Sequence, residues 1–249
     1  MLTVHDLTVA FGPTIAVRDV TLHAAPGTIT GILGANGAGK TTTLLGILGR
    51  VPRRNGRIIF NGRDVTDHDT RALVRAGIAL CPENRRLFPN MSIQDNLLLG
   101  AYGQSRKTQR RRLAQTCERI PWLGDRGLEP AGRLSGGQQQ IVAIARALMS
   151  EPELVLLDEP SSGLSPVAVE EIGHILHAIA RDGTAIVLVE QNVRLVQELC
   201  STAWVLANGQ VTAQGPVTDL VKAQAISDAY LGAAQPLPAP HADARPKMD

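Results

Sequence analysis

Apolar residues occur along this chain in short continuous runs, and stretches with helical spacing separate them. The runs at residues 28–33, 154–157 and 185–189 are short enough to be buried strands, and residues 42–48 and 167–181 carry helical spacing. Continuous apolar strands that alternate with helices indicate a parallel sheet covered on both faces. The pattern therefore predicts an α/β core with a mostly parallel sheet.

The N-terminal part of the chain shows a different pattern. Residues 2–9 and 17–22 are rich in β-forming side chains and are separated by Gly12-Pro13, which predicts antiparallel strands joined by a turn. Asn55-Gly56 and Asn61-Gly62 predict tight turns that bracket another short strand. The sequence thus predicts an antiparallel β subdomain beside the core.

Residues 90–148 are almost wholly helical in pattern, and residues 204–211 predict a closing hairpin. We therefore expect residues 1–232 to form a single domain, followed by a proline-rich tail that is disordered. The predicted division comprises an α/β core with its β subdomain at 1–82 and 151–232, an inserted helical subdomain at 83–150, and the tail at 233–249.

Composition narrows the possible functions. The net charge is only +2 and aromatic residues make up 3% of the 249 residues, so stacking surfaces for nucleic acid are poorly supplied. No run approaches ~18 consecutive apolar residues, and the first residues lack a secretory signal pattern. Three widely spaced cysteines, Cys81, Cys117 and Cys200, predict neither disulfides nor a zinc site. We expect a soluble protein of the reducing cytosol without a nucleic-acid partner.

A glycine-rich string stands between a predicted strand and a predicted helix. Its glycines let successive backbone N–H groups turn around phosphate oxygens, and the following helix presents its positive end. The lysine can then reach the β- and γ-phosphates, and the threonine hydroxyl can bind Mg²⁺. The alternative is a glycine-rich turn with a solvated lysine, but the strand–loop–helix order favours a phosphate-binding loop. The residues are Gly34, Ala35, Asn36, Gly37, Ala38, Gly39, Lys40 and Thr41.

Two adjacent carboxylates, Asp158 and Glu159, follow the predicted strand at 154–157. Ligands collect outside the carboxyl ends of the strands in an open parallel sheet. Asp158 is suited to hold magnesium, and Glu159, which strand alternation directs to the other side, is suited to polarise an attacking water. The pair could instead cap the next helix. After a phosphate-binding loop, the pattern favours the catalytic interpretation.

Residues 134–140 have the sequence Leu-Ser-Gly-Gly-Gln-Gln-Gln and precede a helix predicted at 141–148. Alone, this segment could be a linker that ends in a helix cap, since Ser and Gly are good helix starters. This segment stands before the acid pair and contains Leu-Ser-Gly-Gly-Gln, which is the signature of the ABC ATPase family. The chain therefore resembles that family. The resemblance covers about residues 2–231 and implies a RecA-like P-loop fold.

In this family, two ATPase subunits enclose two ATP molecules. The resemblance implies that the signature forms a second anion-binding helix N-terminus, which clamps the γ-phosphate of ATP bound by the partner subunit. It also implies that Phe11 lies against the adenine, although a core position in a strand is the alternative, and that Arg146 has a structural role. The implied cofactors are ATP and Mg²⁺. The nucleotide-binding residues beyond the phosphate-binding loop are Phe11, Thr42, Ser135, Gly136, Gly137 and Gln138.

Three positions depart from the usual family pattern. Glu83 stands where Gln usually contacts Mg²⁺, Gln191 stands where His usually touches the γ-phosphate, and Ser165 replaces Asp. Glu83 can bind Mg²⁺ but adds negative charge, whereas Gln191 can donate a hydrogen bond but cannot carry a proton. The predicted metal-binding residues are Thr41, Asp158 and Glu83. The predicted catalytic residues are Glu159 and Gln191.

These departures are similar to the LivF type, an ATP-binding subunit of bacterial importers for branched-chain amino acids. The matching strings are Pro-Glu-x-Arg-Arg-x-Phe-Pro at 82–89, Asn-Leu-Leu-Leu-Gly-Ala at 96–101 and Val-Glu-Gln-Asn at 189–192. The alternatives are a urea or amide importer, a lipopolysaccharide exporter, a soluble ABC ATPase that acts on ribosomes or DNA, and a small-molecule kinase.

The resemblance also implies the partners of the chain. They are a second ATPase subunit of different sequence, multi-span membrane permease subunits contacted through residues 93–102, and indirectly an extracytoplasmic substrate-binding protein. The expected location is the cytoplasmic face of the cell membrane. A basic cluster at residues 106–112 is interpreted as a solvated helix face.

Overall fold

The computed structural model describes residues 1–230, which form ten strands and ten α-helices. Apolar and β-branched residues fill the strands in the predicted regions, and two further short strands, at residues 63–64 and 78–81, were not predicted. The strands are β1 (Leu2–Phe11), β2 (Thr14–Ala24), β3 (Ile29–Leu33), β4 (Arg53–Phe60), β5 (Arg63–Asp64), β6 (Ile78–Cys81), β7 (Leu154–Asp158), β8 (Ala185–Glu190), β9 (Thr202–Ala207) and β10 (Gln210–Pro216).

Two sheets result from these strands. The first is antiparallel with the order β2-β1-β4-β5, and the second has the order β10-β9-β3-β8-β7-β6. In the second sheet, β9, β3, β8, β7 and β6 run parallel, and only β10 pairs in the antiparallel sense. The predicted α/β core with a mostly parallel sheet and an antiparallel β subdomain is confirmed.

Most of the longer helices have a polar N-cap residue. Serine caps four N-termini by accepting a backbone N–H bond, because its short side chain can replace the carbonyl missing before a helix. The helices are α1 (Lys40–Ile47), α2 (Thr70–Arg75), α3 (Ile93–Leu99), α4 (Arg106–Arg119), α5 (Trp122–Asp125), α6 (Gly136–Leu148), α7 (Pro166–Arg181), α8 (Val193–Leu199), α9 (Val217–Lys222) and α10 (Ala225–Tyr230). Helices α3 to α6 lie between β6 and β7, which confirms the inserted helical region.

Successive side chains of the central strands point to opposite faces of the sheet, and they belong to two different hydrophobic clusters. Every residue of β3, β7 and β8 is buried. Leu154 and Leu156 of β7 belong to the cluster that contains the antiparallel sheet and α1, whereas Val155 and Leu157 belong to the cluster that contains α6, α7 and α8. The parallel sheet is therefore covered on both faces, as its apolar runs predict.

One turn prediction is wrong. Asn55-Gly56 lies inside β4, which begins at Arg53 rather than at residue 57. Gly56 has φ 119°, and a Cβ atom there would lie 2.8 Å from the Cα atom of Leu7 in β1. The register between β1 and β4 shifts beside this point. The glycine thus permits a β-bulge and a close approach of two strands, which sequence pattern alone does not distinguish from a hairpin turn.

Two further expectations concern the C-terminal tail and membrane-spanning helices. The predicted tail at 233–249 lies outside the described residues. Within residues 1–230, no helix has both the length and the apolar character that crossing a bilayer would require.

Helix α3 meets the last turn of α6 at Gly100, the C-cap residue that follows α3. A Cβ atom at Gly100 would lie 1.9 Å from the backbone oxygen of Arg146 and 2.9 Å from the Cβ atom of Met149. Any side chain at this position would force the two helices apart. The inserted helices therefore depend on glycine here for their packing.

We expect Gly100→Ala to lower the free energy of unfolding by about 1–3 kcal/mol, the usual cost of overpacking. The matched control is Gly173→Ala in the middle of α7, where the nearest atom to a new Cβ would be a Leu199 methyl carbon at 3.4 Å. Alanine should stabilise that helix by up to about 1 kcal/mol. Urea unfolding of both variants measures the difference, and equal effects would contradict the proposed clash.

Candidate functional site

The glycine-rich loop leaves the end of β3 and enters α1. Gly37 and Gly39 have φ values of 80° and 100°, which glycine adopts without steric cost. A Cβ atom at Gly39 would also lie 3.1 Å from the backbone oxygen of Ala16 in β2. The glycines therefore allow the loop to curl tightly between the end of the sheet and the first hairpin.

Lys40 is the first residue of α1 and is 4% exposed. Its ammonium group donates to the backbone oxygens of Gly34 at 2.9 Å and Ala35 at 3.0 Å. The same group pairs with Glu159 at 2.9 Å. A lysine held by three oxygens inside a glycine loop is not a solvated surface side chain, which argues against the turn interpretation.

The acid pair lies directly opposite this loop. Asp158, which ends β7, accepts a hydrogen bond of 2.9 Å from the Thr41 hydroxyl. Burial raises the pKa of Asp158, and the hydrogen bond from Thr41 opposes this shift. The carboxylate is therefore placed where a positive ion would stabilise its charged form.

The prediction that Glu159 points to the other side of the strand from Asp158 is wrong. Glu159 has left the strand, with φ 46°, so strand alternation no longer applies to it. Its carboxylate contacts Lys40 while Asp158 contacts the neighbouring Thr41. Both carboxylates thus face the phosphate-binding loop.

A cleft of about 520 Å³ opens above the loop, and we call it the nucleotide cleft. It brings together several predicted residues, namely Asn36, Gly37, Gly39, Lys40, Thr41, Thr42, Glu83 and Glu159. It also includes residues that sequence reasoning missed, in β2 and in the β9–β10 turn at Asn208-Gly209. The only sequence signal for that turn was its hairpin pattern, which does not indicate what the turn faces.

Phe11 lies at the end of β1 and is 49% exposed, so the alternative that it fills the core is wrong. It pairs with Thr14, which lines the nucleotide cleft, although Phe11 itself does not. A ring in this position is available to a ligand that extends out of the cleft. Its contact with adenine remains a prediction.

A smaller cleft of about 190 Å³ adjoins the loop, and we call it the metal cleft. Thr41, Glu83 and Asp158, the three predicted metal-binding residues, all line it, together with Arg50 and Arg86. Their oxygen atoms are the hard ligands that Mg²⁺ prefers. Within residues 1–230, no three His, Cys, Asp or Glu side chains gather into a metal-binding group.

The signature segment begins α6. Ser135 caps the helix by accepting from the backbone N–H of Gln138, whose side chain returns a bond to the N–H of Ser135. The helix therefore begins at Gly136, five residues before the predicted start. A Cβ atom at Gly137 would lie 2.5 Å from that of Ala168 in α7, so this glycine is required for helix packing. The signature residues line neither the nucleotide cleft nor the metal cleft.

Gln191 follows β8 and lines neither of these clefts. The residue before it, Glu190, is 2% exposed and was missed by sequence reasoning. One carboxylate oxygen of Glu190 accepts from the N–H of Ser161 at 2.9 Å, and the other accepts from Gln191 at 3.2 Å and Asn192 at 3.3 Å. Glu190 therefore ties the turn after the acid pair to the segment that carries Gln191.

The departure at Ser165 has a local explanation. Its hydroxyl accepts from the backbone N–H of Ala168 and caps α7. Serine and aspartate both cap helices well, so the replacement keeps this function while it removes a charge. Ser165 thus keeps α7 anchored after the turn that follows Glu159.

The phosphate-binding loop follows a buried strand, and the acid pair from the same sheet faces it. This arrangement defines a P-loop nucleotide-binding protein. The chain belongs to the ABC transporter family, since the model of that family, described as ABC transporter, matches residues 17–162. The matched range contains the loop, the signature and the acid pair. The resemblance stated from the sequence is confirmed.

Similar proteins cover nearly the whole chain. A high-affinity branched-chain amino acid transport ATP-binding protein, BraG of Pseudomonas aeruginosa, is 35% identical over 93% of this chain and 100% of its own length. The lipopolysaccharide export system ATP-binding protein LptB of Escherichia coli K12 is 33% identical over 93% of this chain and 97% of its own.

Solved structures agree with this assignment. The ADP conformation of an ATP-binding cassette of an ABC transporter superposes with a TM-score of 0.83 at 25% identity, over 93% of this chain and 98% of that one. The protein is an ATP-hydrolysing cassette, the ATP-binding subunit of an ABC transporter. The similar proteins include both an amino acid transport subunit and an export subunit, so family membership does not define the substrate.

We expect Glu190→Gln to slow ATP turnover and to lower the free energy of unfolding by about 1–3 kcal/mol, the cost of leaving buried donors unpaired. A glutamine has one acceptor oxygen and cannot serve both Ser161 and the 191–192 segment. The matched control is Glu198→Gln, an exposed residue of α8 that pairs with Arg194. Steady-state ATPase assays and urea unfolding compare the two variants, and equal behaviour would contradict the role of Glu190.

The stability difference between the wild type and Glu190→Gln should also depend on pH. Burial raises the pKa of Glu190 above its ordinary value of 4.5. A raised folded-state pKa contributes stability that is complete below 4.5 and is lost as the pH rises through the raised pKa. The stability advantage of the wild type over Glu190→Gln should therefore shrink as the pH rises, which unfolding at a series of pH values measures.

Proposed function

We propose that this chain powers a bacterial importer for branched-chain amino acids by hydrolysing ATP at the cytoplasmic face of the membrane. The observation that carries the catalytic part is the pairing of adjacent residues across the nucleotide cleft. Lys40 meets Glu159, and Thr41 meets Asp158. One site thus combines a phosphate-binding cation, a metal-binding oxygen pair and a carboxylate able to act on water.

Each of these groups has a defined part in hydrolysis. The backbone N–H groups of the loop and the N-terminus of α1 bind the phosphates. Lys40 exchanges Glu159 for phosphate oxygens when ATP binds, because the ammonium is already inside the loop. Glu159 is then free to orient and deprotonate the attacking water. Gln191 donates a hydrogen bond to the γ-phosphate, and Phe11 packs against the adenine.

Mg²⁺ fits the metal cleft by the chemistry of its lining. Thr41, Asp158 and Glu83 offer only oxygen atoms as ligands. Burial raises the pKa of Asp158, and the neighbouring carboxylates of Glu159 and Glu83 raise it further, so a bound cation would favour the charged form of Asp158. When bound, the ion neutralises charge on the phosphates. Glu83 adds a second carboxylate to this cleft, and Arg50 and Arg86 also line it.

A complete site requires a second subunit. Ser135–Gln138 lie at the N-terminus of α6, outside the nucleotide cleft of their own chain. A helix N-terminus with a flanking glycine pair suits a phosphate brought by a partner chain. We propose a heterodimer, because Glu83, Ser165 and Gln191 all depart from the usual pattern around the γ-phosphate. Such a pair contains one site with the usual histidine and one site with Gln191.

The substrate assignment rests on similarity and on two residues. BraG, whose name describes branched-chain amino acid transport, aligns over its full length. Glu83 and Gln191 match the importer pattern, whereas a lipopolysaccharide exporter of the LptB kind is expected to keep histidine at the position of Gln191. Lipopolysaccharide export is the second candidate because LptB of Escherichia coli is nearly as similar, at 33% identity.

We expect Glu159→Gln to keep ATP binding and to lose about 10²–10⁴-fold of turnover, the usual contribution of a positioned general base. Affinity for ATP should not fall, because the variant releases Lys40 from its ion pair. The matched control is Glu171→Gln on the exposed face of α7. Calorimetric titration with ATP and a phosphate-release assay decide the result, and near-normal turnover in Glu159→Gln would remove Glu159 from this role.

The transport assignment predicts how activity depends on partners. The chain alone should hydrolyse ATP slowly, and activity should exceed the sum of the parts when the second ATPase and the permease subunits are added. In vesicles that contain the full complex, a substrate-binding protein loaded with leucine should stimulate hydrolysis, and lipopolysaccharide should not. The reverse pattern would favour export, while full activity from the isolated chain would refute the heterodimer.

A further inference from the structure

The loop between β6 and α3 has an unusual backbone. Asn84, Arg85 and Arg86 have φ values of 63°, 59° and 48°, so three consecutive residues other than glycine are left-handed. Side chains with a Cβ atom disfavour this conformation, and runs of it do not form without external support. The surrounding structure must therefore hold this turn in place.

Arg146 in the last turn of α6 provides that support. One guanidinium nitrogen donates to the backbone oxygen of Arg86 at 2.8 Å, and a second donates to the backbone oxygen of Arg85 at 2.8 Å. The planar fork of an arginine suits two adjacent acceptors, whereas a lysine presents only a point charge. Arg146 thus fixes two of the three left-handed residues through their carbonyl groups.

The other half of the loop is fixed separately. Asn96 of α3 is fully buried and bonds both backbone groups of Phe88, accepting from its N–H at 2.9 Å and donating to its oxygen at 3.0 Å. The loop is therefore held at its α3 end by Asn96 and near its β6 end by Arg146. Of these two supports, the Arg146 bonds lie nearer to Glu83 along the chain.

The residues on either side of the left-handed turn face two different functional elements. Glu83 precedes the turn and lines the metal cleft with Thr41 and Asp158. Arg85 lies within it, and its guanidinium donates to the side chain of Gln139 at 3.3 Å, in the first turns of the signature helix. A single backbone turn thus connects the metal cleft to the signature.

The geometry points to Arg146 as a positioning residue for ATP hydrolysis: its two bonds to the left-handed turn hold Glu83 in the metal cleft and fix that cleft relative to the signature helix. Arg146 touches no nucleotide and acts through the loop. This inference rests on the proposed role of Glu83 as a metal-binding residue. In addition to that role, the inference states that Arg146, which is 63 positions from Glu83 along the chain, determines where the Glu83 carboxylate lies.

The test compares Arg146→Lys with the wild-type full-length chain by two measurements. The first is the rate of tryptic cleavage after Arg85 and Arg86 without nucleotide, followed by mass spectrometry of fragments that begin at Arg86 or Leu87. The second is the Mg²⁺ concentration that gives half of the Mg²⁺-dependent gain in affinity for a fluorescent ATP analogue. We expect faster cleavage and an increase of about 10-fold or more in the Mg²⁺ requirement, as for other residues that orient metal ligands.

The matched control is Arg112→Lys. Arg112 also donates to a main-chain oxygen at the end of α6, that of Met149 at 3.0 Å, but it belongs to α4 and does not line the metal cleft. This variant should change neither measurement. Faster cleavage with an unchanged Mg²⁺ requirement would show that Arg146 only stabilises the loop and would overturn the proposal, as would no change in either.

A third variant, Glu83→Gln, separates this inference from the function on which it rests. With the Arg146 bonds intact, cleavage should stay at the wild-type rate while the Mg²⁺ requirement rises. An unchanged Mg²⁺ requirement in Glu83→Gln would remove Glu83 from the metal site. If Arg146→Lys still raised the requirement in that case, Arg146 would act through another residue and the proposed target would be wrong.

Discussion

The parallel register of β3, β8, β7 and β6 is the constraint on which the site depends. Parallel pairing brings the carboxyl ends of these strands to one edge of the sheet. The phosphate-binding loop follows β3, Asp158 ends β7 with Glu159 directly after it, Glu190 ends β8, and Glu83 follows β6 within two residues. Four segments that are distant in the chain therefore meet at this edge, which is where open α/β sheets bind ligands.

This edge also carries the buried charges of the described residues. Lys40, Asp158 and Glu190 are the charged residues with exposures of 5% or less within 1–230. Burial of a charge is costly unless partners offset it. Lys40 has three oxygen partners and Glu190 has three backbone N–H donors, whereas the one hydrogen bond to Asp158 within residues 1–230 comes from the Thr41 hydroxyl, with the charge of Lys40 nearby. The least compensated of the three is the one proposed to bind a cation.

The inserted helices are joined to this edge through close backbone contacts. Gly100 allows α3 to reach the backbone of Arg146, and the side chain of Arg146 holds the turn beyond Glu83. Gly137 similarly allows α6 to pack on α7, which begins just after the acid pair. Helix α6 therefore contacts both the loop that carries Glu83 and the helix that follows the acid pair.

The sequence by itself determined the strands of the core at 28–33, 154–157 and 185–189, the helices at 42–48 and 167–181, the phosphate-binding loop and the acid pair, but not the short edge strand β6 that precedes Glu83. These features are local, because periodicity and short motifs report on neighbours along the chain. Only the tertiary structure decided that Asn55-Gly56 is a bulge, that Glu159 turns toward Lys40, and that Glu190 binds the turn at Ser161. Each of these features depends on residues that are distant in sequence. A local sequence pattern does not indicate which distant backbone group a side chain will contact.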